Sequence, residues 1–312
     1  MPTVSIIIPT YNRADYLLEA IKSVFNQTIN DYEIIIVDDG STDNTRETLQ
    51  PFIDNKQVQY IYQENRNKSA ARNNGISKSS GKYIAFLDSD DIFLPLKLEK
   101  QVTFLDQNPD IGFAHSWYSK FNDAGDHLGT RDTSRYAGWV YPEILLSWSV
   151  LMALPCMMVR AEVMAEVGGF DIEQRWGEDL DLWRRITRLY PIDLIPEVLT
   201  KVRVHTGNLS KSKAKPTVWF ENFLHSAFKD DPGLSRVFRR RAWSKLYTNT
   251  GLNQLGENSP ELIAQTRECC LKAIVKWPFT ASAYFGLLVS LLPASIRLAL
   301  LTRWRVIRNP VI

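Results

Sequence analysis

The sequence predicts an α/β fold: a doubly wound, mostly parallel sheet followed by a helical C-terminal region. Three observations carry that expectation. Short β-branched runs alternate with helix-like stretches through the first third of the chain. Those runs are apolar throughout rather than alternating, the pattern of strands buried on both faces. Acidic residues gather just beyond the second and fourth runs, where open α/β sheets place their ligands.

The strand candidates are TVSIIIP, YEIIIVDD, VQYIYQ and KYIAFLDSDD, in that order. Between the first two, Asn12 is placed to cap a helix carrying Leu17, Ala20, Ile21 and Val24 at helical spacing, with Asp15 in its first turn. Further helices are expected after Ser41, from about Ser69 to Ser77, and from near Pro95 to Leu105. From Ile111 to Lys201 the pattern is mixed. IGFAHSWYS and CMMVR read as short strands and YPEILLSW and AEVMAEV as helices, the acceptor half of the same domain.

SKSKAKP at 210–216 is polar and aperiodic, the best candidate linker, so a catalytic domain is expected over 1–209 and a helical region over 210–312. Residues 236–250 and 261–276 are apolar at helical spacing and resemble a helical hairpin of tetratricopeptide type.

With 45% hydrophobic and 23% charged residues, the 312-residue chain is neither disordered nor fibrous. Cys156, Cys269 and Cys270 form no CxxC pair and no even framework, which leaves out a disulfide scaffold or cysteine zinc site and fits a reducing compartment. Met1 leads straight into a strand without the features of a secretory signal, so a cytoplasmic location is expected.

The net charge of +2 hides an asymmetry: no acid follows Glu268, whereas Lys272, Lys276, Arg297, Arg303, Arg305 and Arg308 do, leaving residues 1–268 at −4. An acidic body argues against nucleic acid as a partner. The basic, apolar tail fits an anionic membrane surface, contacted through residues 277–308 at the inner face of the cell membrane. Twenty uncharged residues separate Lys276 from Arg297, close to the ~20 that span a bilayer. Pro293, Gly286 and several serines count against a span. Trp277, Tyr284 and Trp304 near its ends fit an interfacial helix pair, and a helix pair packed on the body is the alternative reading.

Asp38 and Asp39 follow the second strand and Asp88, Asp90 and Asp91 the fourth. Like charges converging in one crevice repel unless a cation neutralises them, which points to a hard divalent ion with oxygen ligands. Asp43 reads instead as a turn former. No GxGxxG or GxxxxGK[ST] loop is present to cradle phosphates.

PTYN at 9–12, VDDGSTD at 37–43, ARNNG at 71–75, LDSDD at 87–91 and GEDLDLWRR at 177–185 occur in this order. Together they resemble family 2 glycosyltransferases over about residues 3–206. The resemblance implies a GT-A, Rossmann-like fold and an inverting enzyme that uses a nucleotide-sugar donor, most commonly a UDP-sugar, and a glycan or lipid-linked acceptor.

It places Thr10 and Tyr11 at the base pocket, Asp39 on the base imide and Arg72 near the nucleotide, while Asp38 is left a structural alternative. LDSDD matches the family's DxD. Treated as an extended segment, it puts Asp88 and Asp90 on one face, Asp88 toward the ribose and Asp90 toward a magnesium or manganese ion on the diphosphate, with Asp91 an alternative ligand. His205 resembles the histidine that ligates this metal, with Lys211 and Lys213 beside it on a closing loop. GGF at 168–170 and Gly177 read as turns without chemistry.

On a helix over 178–190, Asp179 falls in register with Leu182, Trp183, Ile186 and Leu189, the stripe expected to face the protein. Asp181 falls with Arg184, Arg185 and Arg188 on the polar stripe, and Glu178 borders it, suited to orient the acceptor or hold an arginine. A partly desolvated carboxylate has a raised pKa, which suits a base, so Asp179 is the expected catalytic base. The resemblance agrees, the second acid of the ED pair being the usual base. Trp117, Trp148 and Trp176 are candidates to stack on acceptor sugars. The alternatives are a metal-dependent nucleotidyltransferase, whose Arg and Lys-rich glycine loop is absent from PTYNRADY, and a nucleotide-sugar-binding pseudoenzyme.

Overall fold

The computed structural model describes residues 1–131, 136–146, 153–174, 176–205, 217–255 and 259–308, the last five of these as backbone alone. Two compact units divide the chain, one of residues 1–144 and 149–213 and one of residues 145–148 and 214–312. The boundary expected at 209/210 lies outside the described residues, as do Trp148, Lys211 and Lys213.

The first unit begins with β1 (Val4–Thr10), α1 (Ala14–Phe25), β2 (Tyr32–Asp38), α2 (Thr45–Asp54), β3 (Gln59–Tyr62), α3 (Lys68–Lys78) and β4 (Tyr83–Phe86). It continues through β5 (Ile92–Phe93), α4 (Lys97–Gln107), β6 (Phe113–Phe121), β7 (His127–Arg131), α5 (Tyr141–Leu146, whose last two residues are grouped with the second unit), β8 (Met158–Arg160), α6 (Ala161–Val167), α7 (Glu178–Leu189) and β9 (Ile192–Arg203). One sheet runs in the order β3-β2-β1-β4-β8-β6-β9-β5, with β7 paired to β6. The first four strands are mutually parallel. β8 is antiparallel to β4 and β6, and β9 runs parallel to β6. This is the GT-A arrangement.

The buried character read from the sequence has its reason in this layering. Val4, Ile6, Ile7 and Ile8 are all fully buried, because α1 and α4 cover one face of the sheet and α3 the other. Gly75 lets α3 lie directly on β1: a Cβ there would come 2.5 Å from Ile7 Cγ2. The outcome for Asn12 differs from expectation. It does not cap α1, has φ of 52°, and its Oδ1 accepts hydrogen bonds from the Thr42 and Asp43 amides at 2.7 and 3.3 Å. Tying two strand-end loops together satisfies more donors than a cap would.

The second unit holds α8 (Thr217–Asp230), α9 (Arg236–Gln254), α10 (Pro260–Lys276), α11 (Ala281–Val289) and α12 (Ala294–Arg308). The α9 and α10 helices pack through Gly251, where a Cβ would come 3.2 Å from the Thr266 carbonyl. Among the described residues no helix is long and apolar enough to cross a membrane.

Candidate active site

At the carboxyl ends of β1 and β2 the Thr10 carbonyl accepts the Asp39 amide at 2.9 Å, fixing the two loops side by side. Asp39 is 5% exposed. Its Oδ1 accepts from Gln63 Nε2 at 2.7 Å and the Arg66 amide at 3.0 Å, and its Oδ2 from the Asn67 amide at 2.9 Å. About four lone-pair positions exist on a carboxylate, so roughly one on Oδ2 remains for a ligand donor. Asp38 turns the other way, accepting from the Ser41 amide at 2.8 Å and the Tyr60 hydroxyl at 2.6 Å, which is the structural role left open for it. Thr10 Oγ1 is buried without a partner among the described residues, whereas Tyr11 is 48% exposed. Asp43 holds the amide and hydroxyl of Thr45 at 3.1 and 2.5 Å, as a turn former does.

The chemistry between β4 and α7 is organised by Arg72, which is buried rather than on the surface where a lone helical arginine usually lies. Asn67 caps α3 by accepting the Ala70 amide at 3.0 Å. From the next turn, Arg72 Nη2 donates to Asp88 Oδ1 at 2.6 Å and Nη1 to Glu178 Oε1 at 3.0 Å. Lys68 Nζ lies 2.6 Å from the same Glu178 oxygen. Burial would raise the Glu178 pKa, but the neighbouring Lys68 and Arg72 charges hold it below its ordinary value.

Asp179 beside it has no ion pair among the described residues. Burial, then the charge on Glu178, pushes its pKa up to about 6. Its Oδ1 accepts the Leu180 amide at 2.8 Å. Gly177, with φ of 68°, supplies the left-handed turn before α7.

The polar stripe expected on α7 is exposed at Arg188 but covered nearer the start of the helix. Asp181 is buried, with Arg184 Nη2 at 2.7 Å and Arg185 Nε at 2.8 Å. Arg185 in turn donates to the Val167 and Gly169 carbonyls, so the GGF turn covers this side of the helix. Leu189, assigned to the inward stripe, is 44% exposed because it ends the helix. Trp183 is core, and Trp117 and Trp176 are half-buried.

LDSDD is a turn rather than an extended segment, closed by the Asp91 amide on the Asp88 carbonyl at 3.0 Å. Asp88 therefore faces Arg72 and Asp90 faces His205. Asp91 is buried against β9, its Oδ1 accepting the Arg203 amide at 2.9 Å. Burial and the charges of Asp88 and Asp90 hold its carboxyl well above the usual range.

His205 Nε2 lies 2.9 Å from Asp90 Oδ2 and 3.0 Å from Arg13 Nη1, and its ring stacks on Tyr16 at 5.2 Å. Arg13 Nη1 is also 3.9 Å from Asp90 Oδ2. An imidazole nitrogen and a carboxylate oxygen thus converge with a guanidinium reaching both, and the two are donors that a divalent cation could share. Among the described residues no three His, Cys, Asp or Glu side chains meet to hold a metal unaided.

Lys68, Arg13 and Arg203 are missing from the sequence-derived set. Arg203 had a readable signal, a charge inside the apolar run VRV, which a strand tolerates only when the charge is partnered.

The sequence profile of Glycosyl transferase family 2 matches residues 5–165, about half of the chain, and the chain belongs to that family. An uncharacterized glycosyltransferase of Rickettsia bellii is 38% identical over 205 residues, 66% of this chain and 29% of the relative. The chain spans about a third of the length of three such rickettsial relatives.

Two solved structures share the fold. S. aureus TarS 1–349 in complex with UDP-GlcNAc has a TM-score of 0.67 at 17% identity, over 97% of this chain and 90% of TarS 1–349. The mannosyltransferase PcManGT of Pyrobaculum calidifontis, in complex with GDP-Man and Mn2+, has a TM-score of 0.56 at 17% identity, over 99% of this chain and 81% of PcManGT.

Proposed function

We propose that this chain transfers a sugar from a nucleoside-diphosphate donor to a hydroxyl acceptor, a glycan or lipid-linked glycan, with inversion at the anomeric carbon. The observation that carries the reading is the division of labour among the acids around α7. Glu178 is neutralised by Arg72 and Lys68 and Asp181 by Arg184 and Arg185, which leaves Asp179 as the carboxylate of the three without an ion pair among the described residues.

With its pKa near 6, Asp179 is ionised at neutral pH yet basic enough to take the proton of an attacking hydroxyl. One such base suits a single displacement, whereas a double displacement needs a second carboxylate as nucleophile. Exposed Tyr11 offers a face on which a base stacks, the open lone pair of Asp39 accepts an imide N–H, and Asp88 reaches a ribose hydroxyl while held by Arg72. A TarS structure holding UDP-GlcNAc supports a uridine donor, and the GDP-Man complex of PcManGT marks the alternative base.

Asp90 and His205 would hold the divalent cation, Mn2+ or Mg2+. When bound, such an ion neutralises charge gathering on the leaving diphosphate, a contribution of several kcal/mol by general experience of metal sites. The chain's own share is to keep the two donors aligned: Arg203 fixes the turn beneath Asp90, and Tyr16 fixes the His205 ring. Membership of the family weighs against the nucleotidyltransferase alternative.

Thermal shift with UDP-, TDP- and GDP-sugars, with manganese and with chelator, followed by product analysis on the stabilising donor, tests the reading. Stabilisation by one nucleotide sugar and release of its nucleoside diphosphate support it. No stabilisation by any donor overturns it.

A further inference from the structure

Among the described residues, eight of the eighteen exposed large hydrophobic side chains fall between Leu271 and Leu298. That concentration in one stretch of chain departs from the singly scattered apolar residues that are the norm on a free surface. Phe279 is 82% exposed, Val275 73%, Leu288 65% and Leu291 61%. The α11 helix carries no charged side chain at all. Ala283, Gly286 and Val289 pack inward while Tyr284 and Leu288 point out. A helix apolar on every side belongs in a core or in lipid, and nine residues are too few to cross a bilayer.

A basic tip adjoins this face. Arg240 Nε donates to the Lys276 carbonyl at 2.8 Å, joining the start of α9 to the end of α10. The guanidinium of Arg241 lies 6.0 Å from the Trp277 ring, and Trp277 meets Phe279 edge to face at 5.5 Å. Arg240, Arg241 and Lys276 are exposed, and no acidic residue follows Glu268. Arg297, counted with the tail's cations on sequence, is only 3% exposed and takes no part in the tip.

We propose that this basic, aromatic tip and the outward side of α11 dock on an anionic lipid bilayer, lying in its interface without crossing it. The apolar side chains enter the headgroup boundary while Arg241 and Lys276 meet lipid phosphates. A second copy of the chain fits less well, because a self-complementary interface on this patch would bring the same cations from both copies with no acidic residue from 269–312 to pair them. Docking itself does not rest on the transfer reaction. Its use in reaching a lipid-linked acceptor does.

The test is cosedimentation of the full chain with vesicles of phosphatidylcholine alone or mixed in equal parts with phosphatidylglycerol. Binding is expected only to the anionic vesicles, weakening as salt is raised. Removing one charge by Arg241→Gln or Lys276→Gln should lower partitioning about fivefold, and Phe279→Ser with Leu288→Ser should abolish it at an unchanged melting temperature.

Failure to bind anionic vesicles at low salt overturns the proposal, as does undiminished binding by the Phe279→Ser, Leu288→Ser pair. A dimer in sedimentation that this pair dissolves also overturns it, in favour of a second copy. Nucleotide binding by calorimetry on the same variants separates these outcomes from a failure of the catalytic reading.

Discussion

Arg203 holds Asp91 through its main chain and Asp90 through its side chain. Its amide donates to Asp91 Oδ1 at 2.9 Å and its Nε to the Asp90 carbonyl at 3.0 Å. The guanidinium is seated over the rings of Tyr16 and Phe121 at 4.8 and 4.4 Å and reaches Glu19 at 2.5 Å. The end of β9 therefore sets where the Asp90 carboxylate points. Arg203→Met should leave the sheet formed but weaken manganese-dependent nucleotide binding about 10- to 100-fold, the usual cost of removing support behind a metal ligand. Arg203→Lys should recover part of this, since it keeps the charge without the fork. Calorimetry with manganese and with chelator reads both.

Asp90→Ala should remove most of the metal-enhanced part of nucleotide affinity while leaving metal-free binding nearly unchanged. Titration of nucleoside diphosphate into wild type and variant, each with manganese and with chelator, measures the difference. Equal affinity of the wild type under the two conditions would contradict a metal role for Asp90 and His205.

Glu178→Gln bears on the pH profile. Burial and the Glu178 charge together raise the Asp179 pKa to about 6. Removing that charge frees Lys68 and Arg72 to act on Asp179, so its pKa should fall. A base works only when deprotonated, so wild-type rates should rise as pH passes through about 6 and the variant's rise should occur at lower pH. The acid limb of kcat/KM against pH is the observable.

Lys97 opens α4 with its ammonium fully buried, 4.4 Å over the Phe93 ring and bonded to the Gln101 side chain. Burial lowers its pKa to about 7 from 10.5. Between those values the unfolded chain binds a proton that the folded chain does not, so stability should rise as pH increases from about 7 to 10. Lys97→Met should stabilise the protein at pH 7 by about 1–3 kcal/mol and flatten that rise. Melting curves across this range check the sign.

The parallel half of the sheet was legible because strands buried on both faces write themselves as unbroken apolar runs such as SIIIP and EIIIVDD. Along β9 the sequence carries a strand-like apolar run at VRV, near its end. Pro196 and Glu197 interrupt the strand, and its pairing with β6 jumps from Ile195 to Val198, so no period of two survives to be read.

The site followed the same division. Single residues at strand ends, Asp39, Asp88, Asp90 and His205, announced themselves by motif. The buried ion pairs did not, because helical periodicity assigns a charged stripe to solvent and cannot foresee that Arg185 will cap the carbonyls of 167–169. Asp181 was misplaced for that reason, and Arg13 was missed because its partners lie 77 and 192 positions away along the chain.

Asp179→Asn is the most direct measurement. The variant keeps the shape and the Leu180 amide contact but has no lone pair basic enough to take a hydroxyl proton. With Asp179 as the base, kcat for sugar transfer should fall about 10²- to 10⁴-fold while donor affinity by calorimetry stays within a few-fold of wild type. Near-normal transfer by Asp179→Asn, above all alongside loss of transfer in Glu178→Gln, would contradict the assignment.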